Sequence, residues 1–184
     1  MASNFLEDLV SQWYEFSGYF IRRNILVGRR PAGGHAGELD VVGFNPVTNH
    51  LIHIEPSMDT DSWAKREERY SKKFRLGREY IPSLFEGLNL PSEIDQVALL
   101  GYASKRNHAD LAGGRILLIP ELLEEIFSEL SILDISRNAI PEHLPILRGY
   151  QLASSNFGAI QLGMSRKSKQ GEQSVPPKSD RAGG

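Results

Sequence analysis

Between positions 4 and 16 the apolar residues Phe5, Leu6, Leu9, Val10, Trp13 and Phe16 recur at three- and four-residue steps, the pattern of an amphipathic helix. Asn4 or Ser3 offers a cap, Glu7 suits the first turn, and Gly18 lies just past the expected end. Residues 19–27 are rich in aromatic and β-branched side chains and predict a strand. Residues 28–37 hold four glycines and a proline and read as a loop. Two further strands are expected at 38–44 and 50–54, joined by a turn at Asn45-Pro46-Val47-Thr48-Asn49. In the first, Leu39 and Val41 alternate with Asp40 and Val42, which puts Glu38 and Asp40 on one side.

A long helix is predicted from about residue 62 to 85. Its apolar stripe is Trp63, Tyr70, Phe74, Gly77, Ile81 and Leu84, and Pro82 bends or ends it. An apolar strand follows at 96–103, a polar loop at 105–114 and a short strand at 115–119. Pro120 then opens a helix that runs through Leu130. A shorter helical piece is expected at 141–153. From Met164 onward Ser, Lys, Gln, Pro and Gly dominate and large apolar residues are missing, so 164–184 is expected to be a disordered polar tail beside a single domain at 1–160. The order is helix, three strands, helix, strand, strand, helix. This predicts an α/β fold in which a three-stranded meander joins a further strand through a helical crossover, giving a mixed sheet flanked by helices.

Composition narrows the chemistry. The 184-residue chain has no cysteine, which excludes disulfides, thiolate metal sites and cysteine nucleophiles. Its formal net charge is −2, so any nucleic-acid binding must rest on local basic patches. No basic-then-apolar leader and no apolar run of membrane length is visible, so a soluble, cytoplasmic protein with no membrane partner is expected.

The segments Gly37-Glu38-Leu39-Asp40-Val41-Val42-Gly43 and Leu51-Ile52-His53-Ile54-Glu55 carry the chemistry. One apolar strand contains an acid and the next ends in one. If the strands pair around the 45–49 turn, Asp40 and Glu55 meet at their far ends. Hard divalent cations take carboxylate oxygen, so these two residues are candidate metal ligands for Mg²⁺ or Mn²⁺. An unpaired carboxylate among apolar strand residues is otherwise costly. The 62–85 helix holds the densest basic stretch of the chain. Arg66, Arg69 and Lys73 lie along one side, next to the apolar stripe, as candidate phosphate contacts, while Lys65 and Lys72 point to solvent. A charged helix is often only a solvated face.

This pattern resembles the PD-(D/E)XK, or restriction-endonuclease-like, nuclease superfamily over roughly residues 4–103. It is nearest to the Holliday-junction resolvases and type IV restriction endonucleases. In those families an acid on the first helix precedes a Gly-aromatic strand, and a Gly-x-x-Asp strand and a Glu-x-Lys strand follow. Here Glu7 precedes Gly18-Tyr19, Gly37 to Asp40 gives the Asp strand, and Glu55-Pro56-Ser57 stands at the Glu-x-Lys position. The resemblance implies a metal-dependent DNA endonuclease with Asp40 and Glu55 as catalytic metal ligands, Glu7 as an accessory ligand and Ser57 at the remaining catalytic position, with DNA as partner and a homodimer as one arrangement. Ser57 stands where the family has its lysine, and a neutral hydroxyl cannot supply an ammonium's charge. Either metal alone suffices, or a basic residue such as Arg66 or Lys73 takes the lysine's place, or catalysis is lost. In the last case the alternative is an inactive nuclease-fold module that binds DNA or a partner protein.

Several residues have simpler readings. Glu7 fits the helix dipole as well as a metal. His53, on the strand side of Glu55, reads first as a packed, hydrogen-bonded residue. Asp59 and Asp61 read as helix caps or as added negative charge near Glu55. His35, His108 and His143 lack metal-ligand spacing, and the glycines at 28, 33, 34 and 37 lack the Gly-Lys-Ser/Thr ending of a phosphate loop.

Overall fold

A computed structural model describes residues 5–161. The expected helix forms as α1 (Phe5–Phe16) and buries Leu6, Leu9, Val10 and Trp13 on one stripe. The meander is β1 (Phe20–Arg29), β2 (His35–Asn45) and β3 (His50–Ser57). The long helix is α2 (Trp63–Leu84), followed by β4 (Asp95–Leu100), a two-residue β5 (Asp110–Leu111) and β6 (Gly114–Leu118). Helices α3 (Ile119–Ser131) and α4 (Pro145–Ser155) complete the order, with a 3-10 turn at Ile135–Arg137 between them. The expected tail at 164–184 and the caps at Ser3 and Asn4 lie outside the described residues. No helix among the described residues is long and apolar enough to cross a membrane.

The strands form one six-stranded mixed sheet in the order β1-β2-β3-β4-β6-β5. β1 to β3 run antiparallel, and β4 joins β3 in parallel after the α2 crossover. β6 is parallel to β4. One face packs Val41, Ile52, Ile54, Val97 and Leu99 against α1, α3 and α4. The other is covered by α2, with Val42, Phe44 and Leu51 under Leu76 and Ile81, and Ala98, Leu100 and Ile116 under Tyr70 and Phe74. The sheet is thus buried on both sides, which is why its central strands read as nearly continuous apolar runs.

The segment 28–37, expected to be a loop, is half strand. Only residues 30–34 turn, and the glycines at either side serve packing and backbone geometry. Gly28 has a φ of 66°, and a Cβ on Gly37 would lie 2.5 Å from Leu76. Strict alternation along β2 also fails. Gly37 and Leu39 face α2, and so do Asp40 and Val42, although Leu39 and Asp40 are neighbours. The break falls opposite Asn24, a left-handed residue with a φ of 52° that interrupts the pleat of β1. Glu38 is therefore not on Asp40's side, contrary to the alternation read from sequence. Pro82 lies inside α2, which continues to Leu84.

Candidate active site

The turn between β2 and β3 sets the register of the site. Asn45 Oδ1 accepts the backbone N–H groups of Val47 and Thr48, and Asn49 takes a φ of 50°, so the strands pair from Asn45↔His50 onward. Val41 then faces Ile54, and one step further Asp40 faces Glu55. The Asp40 backbone N–H points at Glu55 Oε1 at 3.3 Å, and the two carboxyl groups share a hydrogen bond. Both acids lie on the α2 side of the sheet, near the carboxyl end of β3 and just past Val41↔Ile54, where the β2–β3 register ends.

Helix α2 delivers Lys73 onto this pair. Its Nζ lies 2.7 Å from Asp40 Oδ1 and 2.7 Å from Glu55 Oε2. The side chains of Asp40, Glu55 and Lys73 are 18%, 3% and 25% exposed. A pocket of about 200 Å³ opens here, lined by Asp40, Glu55, Pro56, Ser57, Arg69, Tyr70 and Lys73. Tyr70 fixes its floor by donating its hydroxyl to the Glu55 carbonyl at 3.0 Å.

The electrostatics follow from burial. Desolvation first, and then the neighbouring Glu55, push the Asp40 carboxyl up to about 7, against the opposing pull of Lys73. Burial likewise raises Glu55 above the usual carboxylate range, with hydrogen bonds from Asp40 and Lys73 opposing. Burial works to lower Lys73, but the two carboxylates outweigh it and leave the ammonium more firmly protonated than usual. The site thus joins one firmly protonated cation to two acids that burial makes harder to ionise, Asp40 being raised to about 7.

Ser57 lines the pocket but does not stand in for a lysine. Its hydroxyl donates to Asp59, and Arg69 Nη2 approaches it at 3.4 Å. Asp59 is the hub of the adjoining loop. It accepts Arg66 Nε at 3.1 Å and the Asp61 N–H at 2.9 Å, and it pairs with Arg69. Burial opposes its ionisation, yet the bonds from Ser57, Arg69, Asp61 and Arg66 hold its carboxyl well below the usual range. Neither Asp59 nor Asp61 caps α2 by a side-chain bond; Ser62 is the cap residue, also without one.

The basic residues of α2 separate into three kinds. Arg66 is buried, 3% exposed, and its guanidinium is committed to Asp59 and to the Tyr102 carbonyl at 2.8 Å. That burial contradicts the expectation that Arg66 contacts phosphate. Arg69 lines the pocket while held by Asp59 and Asp61. Lys73 sits between the acids. Lys65 and Lys72 point to solvent as expected. Glu7, half-buried in the first turn of α1, does not line the pocket. Among the described residues, no group of three or more His, Asp or Glu side chains converges as a metal cluster.

His53 is fully buried and hydrogen-bonded, as the simpler reading held. Its Nε2 lies 2.8 Å from Glu55 Oε1, and burial first, then the charge of Lys73, push the imidazole down to about 3, so the ring is neutral. Its partner Gln96 was not legible as a site residue, because nothing in an apolar strand marks a glutamine that reaches across to the neighbouring strand. Comparisons with protein-family models, with curated proteins and with solved structures found no match for this chain.

Proposed function

We propose that the chain is a divalent-metal-dependent nuclease of the restriction-endonuclease-like class, in which Lys73, supplied by α2, takes the role of the lysine that Ser57 lacks. The observation that carries this reading is the convergence of Asp40, Glu55 and Lys73 on one small open pocket. The element order and strand order, an antiparallel meander followed by a helical crossover to a parallel strand, agree with that class of fold.

The residues fit a hard cation. Both acids aim an oxygen at the Lys73 ammonium, so a positive charge already occupies the point where their oxygens meet. Asp40 and Glu55 would hold Mg²⁺ or Mn²⁺. Bound there, such an ion supplies Lewis-acid charge that polarises a phosphate and acidifies water. Asp40, whose carboxyl is raised to about 7, would have to give up its proton to hold such an ion. Lys73, held protonated, acts as a hydrogen-bond donor and fixed charge toward a phosphate oxygen or the attacking water, not as a base. Arg69, on the pocket wall, adds positive charge facing the backbone of a nucleic acid. DNA is the proposed substrate.

The same saturation of both acids by Lys73 also supports a second reading, an inactive module of this fold that binds DNA or a partner protein. One experiment separates them. Purified protein is incubated with plasmid, linear, single-stranded and branched DNA in Mg²⁺ or Mn²⁺. Cleavage that EDTA, Asp40→Asn and Glu55→Gln each abolish supports the nuclease. Salt-sensitive DNA binding with neither cleavage nor metal binding supports the module. Cleavage that survives Asp40→Asn overturns the site assignment.

A further inference from the structure

A chain of hydrogen bonds runs from Glu55 away from the pocket and through the core. Glu55 Oε1 meets His53 Nε2 at 2.8 Å. His53 Nδ1 lies 3.3 Å from Gln96 Nε2. Gln96 Nε2 also donates to the Phe74 carbonyl at 2.8 Å, and Gln96 Oε1 accepts from Arg78 Nη1. The register places the members side by side, since His53 pairs directly with Gln96 across β3 and β4.

The direction of every bond is fixed from the far end. A guanidinium can only donate and a carbonyl can only accept, so Arg78 and Phe74 together fix which end of the Gln96 amide is nitrogen. That nitrogen then faces His53 Nδ1, which must accept. The imidazole proton therefore sits on Nε2 and is donated to Glu55 Oε1. With the Asp40 N–H on the same oxygen, Glu55 Oε1 is committed inside the protein, and Oε2 is left facing Lys73 and the pocket.

A separate feature points the same way. Gly77 lies inside α2, where glycine is unfavourable relative to alanine by about 1 kcal/mol. A Cβ there would lie 2.4 Å from His53 Nδ1 and 3.0 Å from Gln96 Nε2. Any larger residue would push apart the two groups that make the middle link.

Building on the proposed metal site, we infer that His53 and Gln96 are positioning residues for it: they lock one oxygen of Glu55 and so aim the other at the bound cation. Ligand carboxylates and imidazoles held by such outer partners commonly lose about 10- to 100-fold in metal affinity when the partner is removed.

The test uses the full chain and Mn²⁺ as probe. Affinity is measured by calorimetry, with thermal unfolding in parallel, for wild type, His53→Phe, His53→Gln and Gln96→Leu. Phenylalanine keeps the ring's bulk and loses the donor, while glutamine keeps an N–H close to the position of Nε2. The expected result is a roughly 10- to 100-fold loss for His53→Phe and Gln96→Leu, with recovery of most of it in His53→Gln. Equal Mn²⁺ affinity in wild type and His53→Phe, or no recovery in His53→Gln despite an unchanged melting temperature, overturns the inference. Wild-type protein is also read by long-range ¹H–¹⁵N correlation of the His53 ring, which needs no variant to fold. A proton on Nε2 supports the relay, and a proton on Nδ1 overturns it. Failure of the metal-site reading looks different: wild type itself then binds no Mn²⁺.

Discussion

Replacing Asp40 by asparagine is expected to stabilise the metal-free protein, and to do so only at neutral and alkaline pH. Asparagine mimics the protonated acid: its amide can donate to Glu55 and its oxygen can accept from Lys73, the two contacts that Asp40 makes. In the folded chain the Asp40 carboxyl is raised from 3.8 to about 7, chiefly by desolvation and then by Glu55. A group raised in this way contributes fully below its unfolded value, and that contribution is lost as pH climbs from about 4 to about 7. At about 1.4 kcal/mol per pH unit the whole span sets an upper bound of roughly 4 kcal/mol. The side chain is 18% exposed, so water relieves part of this, and about 2 kcal/mol is the working figure. The assay is urea unfolding of wild type and Asp40→Asn in EDTA at a series of pH values from 4 to 8. Subtraction cancels the titrations of groups remote from Asp40; Glu55, which touches it, is not among them. The two proteins should be nearly equal near pH 4, diverge through pH 5 to 7, and keep a constant gap above that, with the variant more stable. Parallel curves, or a variant less stable at pH 8, would refute the reasoning that burial and its neighbour raise this acid from its ordinary range toward neutrality.

Other consequences follow from the same geometry. Lys73→Met removes the cation that touches both acids in the pocket, and cleavage should fall by roughly 10²- to 10³-fold, as on removal of a preorganised charge donor, measured by single-turnover kinetics. Affinity for Mn²⁺ should rise with pH toward about 7 and level off above it, because the ion must displace the Asp40 proton; calorimetry in buffers of different ionisation enthalpy should show proton release that fades above that pH. Arg66→Ala leaves the Tyr102 carbonyl without its donor and takes one of two guanidinium groups from Asp59, which keeps Arg69; it should cost roughly 1–3 kcal/mol in chemical denaturation while leaving the salt dependence of DNA binding unchanged.

Much of the site could be read from the chain because short-range geometry governs it. The Asn45–Asn49 turn fixes where β2 and β3 pair, and counting back from it sets Asp40 against Glu55 without knowledge of the rest of the fold. Helical periodicity placed Arg66, Arg69 and Lys73 on one side of α2, but it could not rank them. What separates them is long-range: Asp59 and the Tyr102 carbonyl draw Arg66 into the interior, whereas Lys73 meets the acids about two turns further along. The strand content of 28–37 was hidden by its glycines, which read as turn residues although Gly37 is there to admit Leu76. The pleat break at Asp40 was hidden as well, since a left-handed Asn24 on the neighbouring strand leaves no periodic trace. The role of Gln96 depends on parallel pairing of β3 with β4, a contact across 43 residues that no local pattern encodes.

The central claim is that Asp40 and Glu55 form a cation site with Lys73 beside it. Crystals soaked in saturating Mn²⁺ at pH 8 and measured at the manganese absorption edge test it directly. The account requires an anomalous peak between the two carboxylates, with Lys73 Nζ drawn back from its place 2.7 Å from each of them. A map with no peak there, and Lys73 still bridging both acids, would contradict it.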